Sequence, residues 1–183
     1  MIAEALRHHP ELDFQVTNLE ELPFPHDAFD VAVVNYCAHH LARPDRAFGE
    51  VRRVLAPGGR LAVVHPIQSR QPSWGSFADA DVLPPETVPG GLLLDVAEPE
   101  PYIKLLQDCG YSEVVCEIKT KPVSVPRLEQ LLEGGWVLTG LHEQSTEVRS
   151  RIEAVVRERS AGYRNADDSY TFQDHVLVAR GVA

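Results

Sequence analysis

The sequence has 183 residues, of which 44% are hydrophobic and 24% are charged, and its formal net charge is −10. This size and composition are typical of one globular domain with a substantial core and exclude a disordered chain. No apolar run reaches the roughly 20 residues that a membrane span needs. The acidic balance disfavours binding to nucleic acid, because phosphate contacts need clustered Lys and Arg. A small molecule or another protein is the expected partner. The alternative is that the negative charge only keeps the protein soluble.

The three cysteines, Cys37, Cys109 and Cys116, each lie inside an apolar stretch and do not have the spacing of metal ligands. They predict reduced, buried thiols. The amphipathic segment at residues 1–7 lacks the charged-then-apolar layout of a signal peptide. These features together predict a cytoplasmic protein without a bound metal.

Segments with helical and strand periodicity alternate along the chain, which predicts βαβ units around a mostly parallel sheet. Strands are predicted at residues 12–16, 29–36, 61–65, 114–119 and 172–179, and helices at 2–9, 44–55, 102–109 and 127–164. Residues 66–98 are rich in Pro and Gly and show little periodicity, so they are predicted to form a long, lid-like loop. The helical region at 127–164 is predicted to be an insertion before the last strand.

Two blocks of sequence carry a family resemblance. The first, LEELPFPHDAFD, occupies residues 19–30 and runs into the second predicted strand. The second extends from NYCAHHL at 35–41 through PDR at 44–46 to EVRRVLAPGGRL at 50–61. In order and spacing over residues 1–66, the chain closely resembles the class I S-adenosylmethionine-dependent methyltransferases, in their type 11 or UbiE-like small-molecule branch. Beyond residue 66 only the order of the elements matches.

The resemblance implies an α/β fold with a Rossmann-like sheet in the strand order 3-2-1-4-5-7-6, its last strand antiparallel, and with ligand at the carboxyl ends of the strands. Residues 12–16 would be strand 3 of that sheet. Family members begin with strand 1, a G-x-G-x-G turn, and a strand 2 that ends in an acidic residue, and this sequence has none of them. We therefore expect residues 1–183 to form a single methyltransferase domain that is incomplete at its N-terminus, with an exposed apolar sheet edge that favours homo-oligomers.

The resemblance also assigns residues to a site for S-adenosyl-L-methionine. Asn18 takes the place of the acid that binds the adenine amino group, and Leu19 follows where a backbone N–H meets the ring. Asn35 and Tyr36 end a predicted strand, at the place that the family puts against the methionine part of the cofactor. A polar residue directly after four apolar strand residues suits a site better than a core. For Asn18, an ordinary turn role is the alternative.

His39 and His40 are candidates for metal ligands or for a general base. Adjacent histidines point apart on regular elements and no Cys or carboxylate cluster completes a site, so metal binding is not expected. The resemblance puts the first of the pair near the cofactor pocket, where one histidine would act as the base. A structural histidine in the turn is the alternative. His65, Trp74 and Trp136 are predicted to line the substrate pocket or to pack a covering segment.

Two functions fit these patterns. The first is an S-adenosylmethionine-dependent methyltransferase that acts on a small organic acceptor and is inactive or weak as these 183 residues. The alternative is a non-catalytic remnant of the methyltransferase fold with a scaffold or assembly role. A dinucleotide-binding oxidoreductase fits less well, because its diagnostic glycine turn is missing too. The acceptor atom is not readable from the sequence, since methyl transfer depends mainly on positioning an already activated group.

Overall fold

The computed structural model describes residues 2–67, 70, 72–73, 77, 97–139 and 141–183. Within these ranges the helices are α1 (Ile2–His8), α2 (Pro44–Val54), α3 (Pro99–Asp108), α4 (Leu128–Thr139) and α5 (Thr146–Ser160). The strands are β1 (Phe29–Asn35), β2 (Leu55–Pro66), β3 (Ser112–Val125) and β4 (Tyr170–Val182). The alternation of helices and strands that the sequence predicts is therefore found.

The four strands form one mixed sheet in the order β1-β2-β4-β3. Strand β1 runs parallel to β2, and β4 lies antiparallel between β2 and β3. The parallel pair needs a crossover connection, which α2 supplies. The carboxyl ends of β1 and β2 consequently lie at the same edge of the sheet, and we call this edge the carboxyl edge.

The prediction of a strand at residues 12–16 is wrong. Leu12, Phe14 and Val16 alternate as a strand should, but they are 51%, 36% and 84% exposed and have no strand conformation. Among the described residues β1 pairs with β2 alone. Residues 12–16 therefore form no backbone hydrogen bonds with the outer edge of β1. A lone extended segment without a partner strand is not stable in water. The complete strand order 3-2-1-4-5-7-6 stays a prediction.

One face of the sheet is covered by α2 and α3. The buried side of α2 is the apolar stripe that the sequence predicts, with Ala47, Phe48, Val51 and Val54. Proline at its first position presets the backbone for a helix. Helix α3 ends before Gly110, whose φ of 88° is the left-handed conformation that glycine adopts most easily. These helices and the facing strand residues form the main apolar core.

The other face of the sheet is open along β1. Val31 and Val33 are 58% and 65% exposed, and Phe29 at the start of the strand is 40% exposed. A groove of about 580 Å³ runs over this face, lined by Val31, Ala62, Arg180 and their neighbours. Large exposed apolar patches of this kind mark surfaces that another segment or molecule covers.

A second apolar cluster joins α4 and α5 to the beginning of β4. It contains nine buried side chains, among them Phe77, Trp136 and Phe172. Ser145 caps α5, because its hydroxyl accepts a hydrogen bond from the N–H of Val148 at 3.3 Å. The helices of residues 127–164 therefore have a core of their own.

Gly135 in α4 gives Phe77 its place in this second cluster. A Cβ atom at position 135 would lie 2.3 Å from the Phe77 ring. We expect Gly135→Ala to lower the free energy of unfolding by about 2 kcal/mol, because overpacking displaces a buried ring despite the better helix propensity of alanine. Urea unfolding measures the change. Gly49→Ala in α2 is the control, since nothing lies within 4 Å of a Cβ there. Equal changes in the free energy of unfolding for the two substitutions would contradict the close packing of Gly135 against Phe77.

Candidate active site

The carboxyl edge carries polar residues at the ends of both parallel strands. Asn35 ends β1 and is exposed, and Tyr36 follows it with 44% exposure. Tyr36 has a φ of 52°, a left-handed conformation that is uncommon for a residue other than glycine. Its N–H donates to the Val64 carbonyl oxygen at 2.9 Å, which fixes the turn at the end of the strand. His65 in β2 is 1% exposed.

Three histidine rings form a row behind this edge. The centroid of the exposed His40 ring lies 3.9 Å from that of His39, whose own ring is 6.0 Å from His65. His39 belongs to a short 3-10 turn, Ala38–His40, and is 8% exposed. The predicted catalytic pair and one predicted substrate residue are therefore brought together.

His39 is neutral at physiological pH. Burial, and after it the nearby His40 and His65, on which a charge would repel a second one, together lower its pKa to about 4. Within the part of the chain that the structure describes, its Nδ1 atom has no hydrogen-bond partner. A buried ring with so low a pKa is a weak base and is better suited to support than to proton transfer, whereas His40 beside it reaches solvent.

Tyr102 of α3 ends the row and is a residue that the sequence analysis missed. Its ring centroid lies 5.4 Å from that of His65, and the residue is fully buried. Burial raises the pKa of its hydroxyl far above the ordinary value. In the sequence Tyr102 belongs to the apolar stripe of a helix, so nothing there distinguishes it from a core residue.

Asn18 and Leu19, the predicted adenine-binding pair, lie in a tight turn. The Asn18 side-chain oxygen accepts a hydrogen bond from the N–H of Glu20 at 3.0 Å, and its backbone carbonyl accepts one from Glu21 at 3.0 Å. This is the turn role that the sequence leaves open as an alternative. Leu19 is half-buried and packs against the main core. A role in cofactor binding stays a prediction for both residues.

Two residues of the second sequence block, Glu50 and Arg53 in α2, form hydrogen bonds with the segment that follows this turn. Arg53 donates to the carbonyl oxygens of Leu22 and Phe24 at 3.0 and 2.9 Å. Glu50 accepts from the Leu22 N–H at 3.0 Å and pairs with Arg53 at 2.9 Å. The Arg53 guanidinium and these hydrogen bonds hold the pKa of Glu50 down at about 2. The two blocks of the resemblance thus contact each other.

A buried carboxylate, Asp174 of β4, also lies near the carboxyl edge and was missed by the sequence analysis. It is 4% exposed and accepts a hydrogen bond from the Ser73 N–H at 3.3 Å. Its negative charge, after burial, raises the pKa of Tyr36. The sequence signal is an acid next to the apolar run of the last strand, in QDHVLVA at 173–179.

The two predicted tryptophans do not add to this group. Trp74 lies outside the described residues. Trp136 is 9% exposed and packs in the second apolar cluster, with its ring 5.4 Å from the guanidinium carbon of Arg149. Core packing of Trp136 is the alternative that the sequence leaves open, and its role in a substrate pocket stays a prediction.

The cysteines differ from the expectation of buried thiols. Cys37 is exposed, and Cys109 and Cys116 are half-buried. Cys37 follows β1 at the carboxyl edge, outside the packing of α2 and α3. Burial nevertheless raises the pKa of all three thiols, to about 11 for Cys116, which makes them poor nucleophiles. In the described ranges no group of three or more His, Cys, Asp or Glu side chains is placed to hold a metal ion.

The comparisons with known proteins identify the fold class first. The structure of YcgJ from Bacillus subtilis superimposes with a TM-score of 0.61 at 16% identity, over 99% of this chain and 76% of that one. A phosphoethanolamine N-methyltransferase from Haemonchus contortus, in complex with phosphomonomethylethanolamine and S-adenosylhomocysteine, gives a TM-score of 0.55 at 18% identity, over 100% of this chain and 41% of that one. The chain has the α/β fold of class I methyltransferases.

The sequence comparisons find similarity to methyltransferases in the first third of the chain. Residues 1–63 match the family model described as a methyltransferase domain. The ubiquinone/menaquinone biosynthesis C-methyltransferase UbiE of Vibrio campbellii is 49% identical over 47 residues, which are 26% of this chain and 18% of that protein. The resemblance to class I S-adenosylmethionine-dependent methyltransferases is confirmed. The matched stretches span 18–28% of the length of the similar curated proteins.

Proposed function

We propose that this chain is part of an S-adenosylmethionine-dependent methyltransferase for a small organic acceptor, and that residues 1–183 alone bind the cofactor weakly and have little activity. The observation that carries the proposal is the family match over residues 1–63, which includes the carboxyl end of β1 and the turn that follows it. That edge presents Asn35 and Tyr36 to solvent and places the histidine row behind them.

The observed strands have a simple place in the seven-strand order. Read as strands 4, 5, 6 and 7, the strands β1, β2, β3 and β4 stand in the sheet as 4-5-7-6, which is one half of 3-2-1-4-5-7-6. Strands 3, 2 and 1 of that order have no counterpart among the described strands, and in the family's order they would adjoin the open edge of β1. In this scheme residues 1–183 are one incomplete domain, with residues 66–98 as its lid-like loop and 127–164 as its helical insertion.

Asn35 and Tyr36 would hold the methionine part of the cofactor, and Asn18 with Leu19 its adenine. When bound, S-adenosyl-L-methionine supplies an activated methyl group, so positioning and exclusion of water provide much of the rate. The exposed amide of Asn35 and the strained turn at Tyr36 fit such a group, because both leave polar atoms free to meet a ligand. The Asn18 side-chain oxygen is already used in its turn, which leaves its amide nitrogen for a ligand.

His40 is the better candidate for the general base of the predicted pair. It is exposed at the carboxyl edge, whereas His39 is buried and neutral. A base has to reach the acceptor proton and to be titratable near the working pH. We assign His39 to holding the His40 ring, which its own ring contacts at a tilt of 45°.

Titration of S-adenosyl-L-methionine into the chain, followed by amide NMR, tests the proposal. We expect a Kd on the order of 1 mM, since most backbone contacts to the cofactor are missing and each tenfold loss is about 1.4 kcal/mol. The shifts should be confined to the amides near Asn18–Leu19 and Asn35–Tyr36. Absence of any shift at 10 mM would favour the alternative, a scaffold without cofactor binding. Micromolar binding would show that the half-site is sufficient by itself.

The open edge and face of β1 would join two copies of the chain into a homodimer. A lysine at an exposed apolar position of an edge strand opposes such association. We expect wild-type protein at about 100 μM to sediment as a dimer, and Val33→Lys to sediment as a monomer. Val137→Lys is the matched control, because Val137 is 72% exposed on α4, away from the sheet. A wild-type monomer at this concentration would contradict the proposed association.

We place the protein in the cytoplasm without a nucleic-acid partner, in keeping with its charge of −10. No helix within the described ranges is long and apolar enough to cross a membrane.

A further inference from the structure

Asp174 is a buried acid at the edge of the sheet where α/β folds bind their ligands. The backbone carbonyl oxygen of the next residue, His175, accepts a hydrogen bond from the N–H of Ile67 at 3.2 Å, and Ile67 lies one residue beyond the end of β2. Asp174 therefore lies level with the carboxyl end of β2. It is 4% exposed, and its partner Ser73 is 1% exposed.

The partners of the Asp174 carboxylate are both uncharged. One oxygen accepts the Ser73 N–H at 3.3 Å and the other accepts the Ser73 hydroxyl. Lys121 lies opposite in the ladder of β3 and β4, but its side chain is exposed and forms no ion pair with Asp174. In the part of the chain that the structure describes, no Lys, Arg or His side chain forms an ion pair with this carboxylate. Buried carboxylates are ordinarily paired with a positive charge, because they lose the solvation of bulk water.

The surroundings of Asp174 connect it with the proposed active site. Burial of the Tyr36 hydroxyl and, after it, the negative charge of Asp174 raise the pKa of that group. Tyr36 directly follows the last residue of β1. A ligand that reaches the carboxyl edge beside Tyr36 therefore comes within the field of a carboxylate that has no counter-charge among the described residues.

We propose that Asp174 binds the positively charged group of the methyl acceptor, so that the acceptor is an alkylammonium compound. This inference rests on the proposed function, which makes the carboxyl edge the place where acceptor binds. The two hydrogen bonds from Ser73 hold the carboxylate in one orientation, and the ammonium group supplies the missing positive charge. If the role of Asp174 were only structural, it would bind Ser73 to β4. A charged and a neutral ligand would then bind equally well.

A pair of probes with the same shape tests the charge preference on the wild-type chain. Dimethylethanolammonium carries the charge, and 3-methyl-1-butanol replaces its nitrogen by carbon. In an amide NMR titration at pH 7 we expect the ammonium probe to shift the Ser73 and Asp174 amides with a Kd on the order of 10 mM, and the alcohol to bind at least about tenfold more weakly. Equal shifts from both probes, or none up to 100 mM, would overturn the proposal.

Three variants locate the charge that is responsible. Asp174→Asn should weaken binding of the ammonium probe by about tenfold or more, and Lys121→Met should tighten it about twofold because a repelling charge is removed. Asp108→Asn, at an exposed acid paired with Lys104, should leave the Kd unchanged. If Asp174→Asn does not fold, the wild-type probe pair and Lys121→Met decide alone. An unchanged Kd in both Asp174→Asn and Lys121→Met would refute the assignment.

A parallel titration with S-adenosyl-L-methionine separates this inference from the function on which it rests. Binding of the cofactor without any preference for the ammonium probe would retain the methyltransferase proposal and remove Asp174 from it. Selective binding of the ammonium probe without cofactor binding would establish the Asp174 site and sink the methyltransferase proposal for this chain.

Discussion

Replacing Arg53 by methionine should lower the melting temperature by about 5–10 °C, whereas the same replacement at Arg52 should lower it by about 2 °C or less. Arg53 donates four hydrogen bonds, which join α2 to the backbone of Leu22 and Phe24 and to the Glu50 carboxylate. Hydrogen bonds from a charged group are stronger than neutral ones, and their loss leaves several partly buried acceptors without a donor.

The two arginines make a matched pair, because they are adjacent in the same helix. Arg52 is exposed and donates one hydrogen bond, to the Gly110 carbonyl oxygen at 2.9 Å. Methionine keeps the length and helix propensity of the side chain at both positions, so only the hydrogen bonds and the charge are lost. Differential scanning calorimetry at one pH and salt concentration measures both variants. Similar melting temperatures for them would show that the contact between the two sequence blocks adds little stability.

This contact shows why the resemblance to a family could be seen in the sequence while the geometry could not. The blocks LEELPFPHDAFD and EVRRVLAPGGRL are separated by 19 residues in the chain, and their order and spacing carry the resemblance. The sequence does not show that Arg53 of one binds Leu22 and Phe24 of the other. That pairing depends on how α2 lies against the preceding segment.

The wrong strand at residues 12–16 has a different cause. Its alternation satisfies the local requirement for a strand, but a strand also needs a neighbour, and β1 pairs with β2 instead. The same limit applies to the site. Asn35, Tyr36 and His65 were singled out as candidates because they end predicted strands. Asp174 and Tyr102 were missed because their roles depend on burial and on partners far along the chain.

Acidification from pH 7 to pH 4 should lower the free energy of unfolding, and about 2 kcal/mol of that loss should come from His39. The ordinary pKa of histidine is 6.5, and burial of His39 lowers it to about 4 in the folded chain. Above pH 6.5 the ring is neutral in both states and contributes nothing to the pH dependence. Below 6.5 the unfolded chain takes up a proton that the folded chain does not, so unfolding becomes easier.

The loss should grow down to about pH 4, where the folded state is protonated too. A shift of this size corresponds to about 3 kcal/mol, and we expect about 2 because a ring that is not completely buried relaxes when it is charged. Glu50 contributes to the pH dependence of stability at lower pH than His39 does. Its pKa falls from 4.5 to about 2, so the stability that it contributes is lost only below about pH 4.5. The two contributions are therefore separable by pH.

His39→Phe keeps an aromatic ring in place and removes the titration. The substitution is tolerable because the described residues give the His39 Nδ1 no partner to lose. Urea unfolding of the variant and of the wild type at pH 7, 6, 5 and 4 should give stability curves that diverge below pH 6.5. His40→Phe, at the exposed neighbour, should follow the wild type. Parallel curves for His39→Phe and the wild type would mean that His39 is accessible enough to be charged in the folded chain, and His39 would then regain equal standing with His40 as the general base.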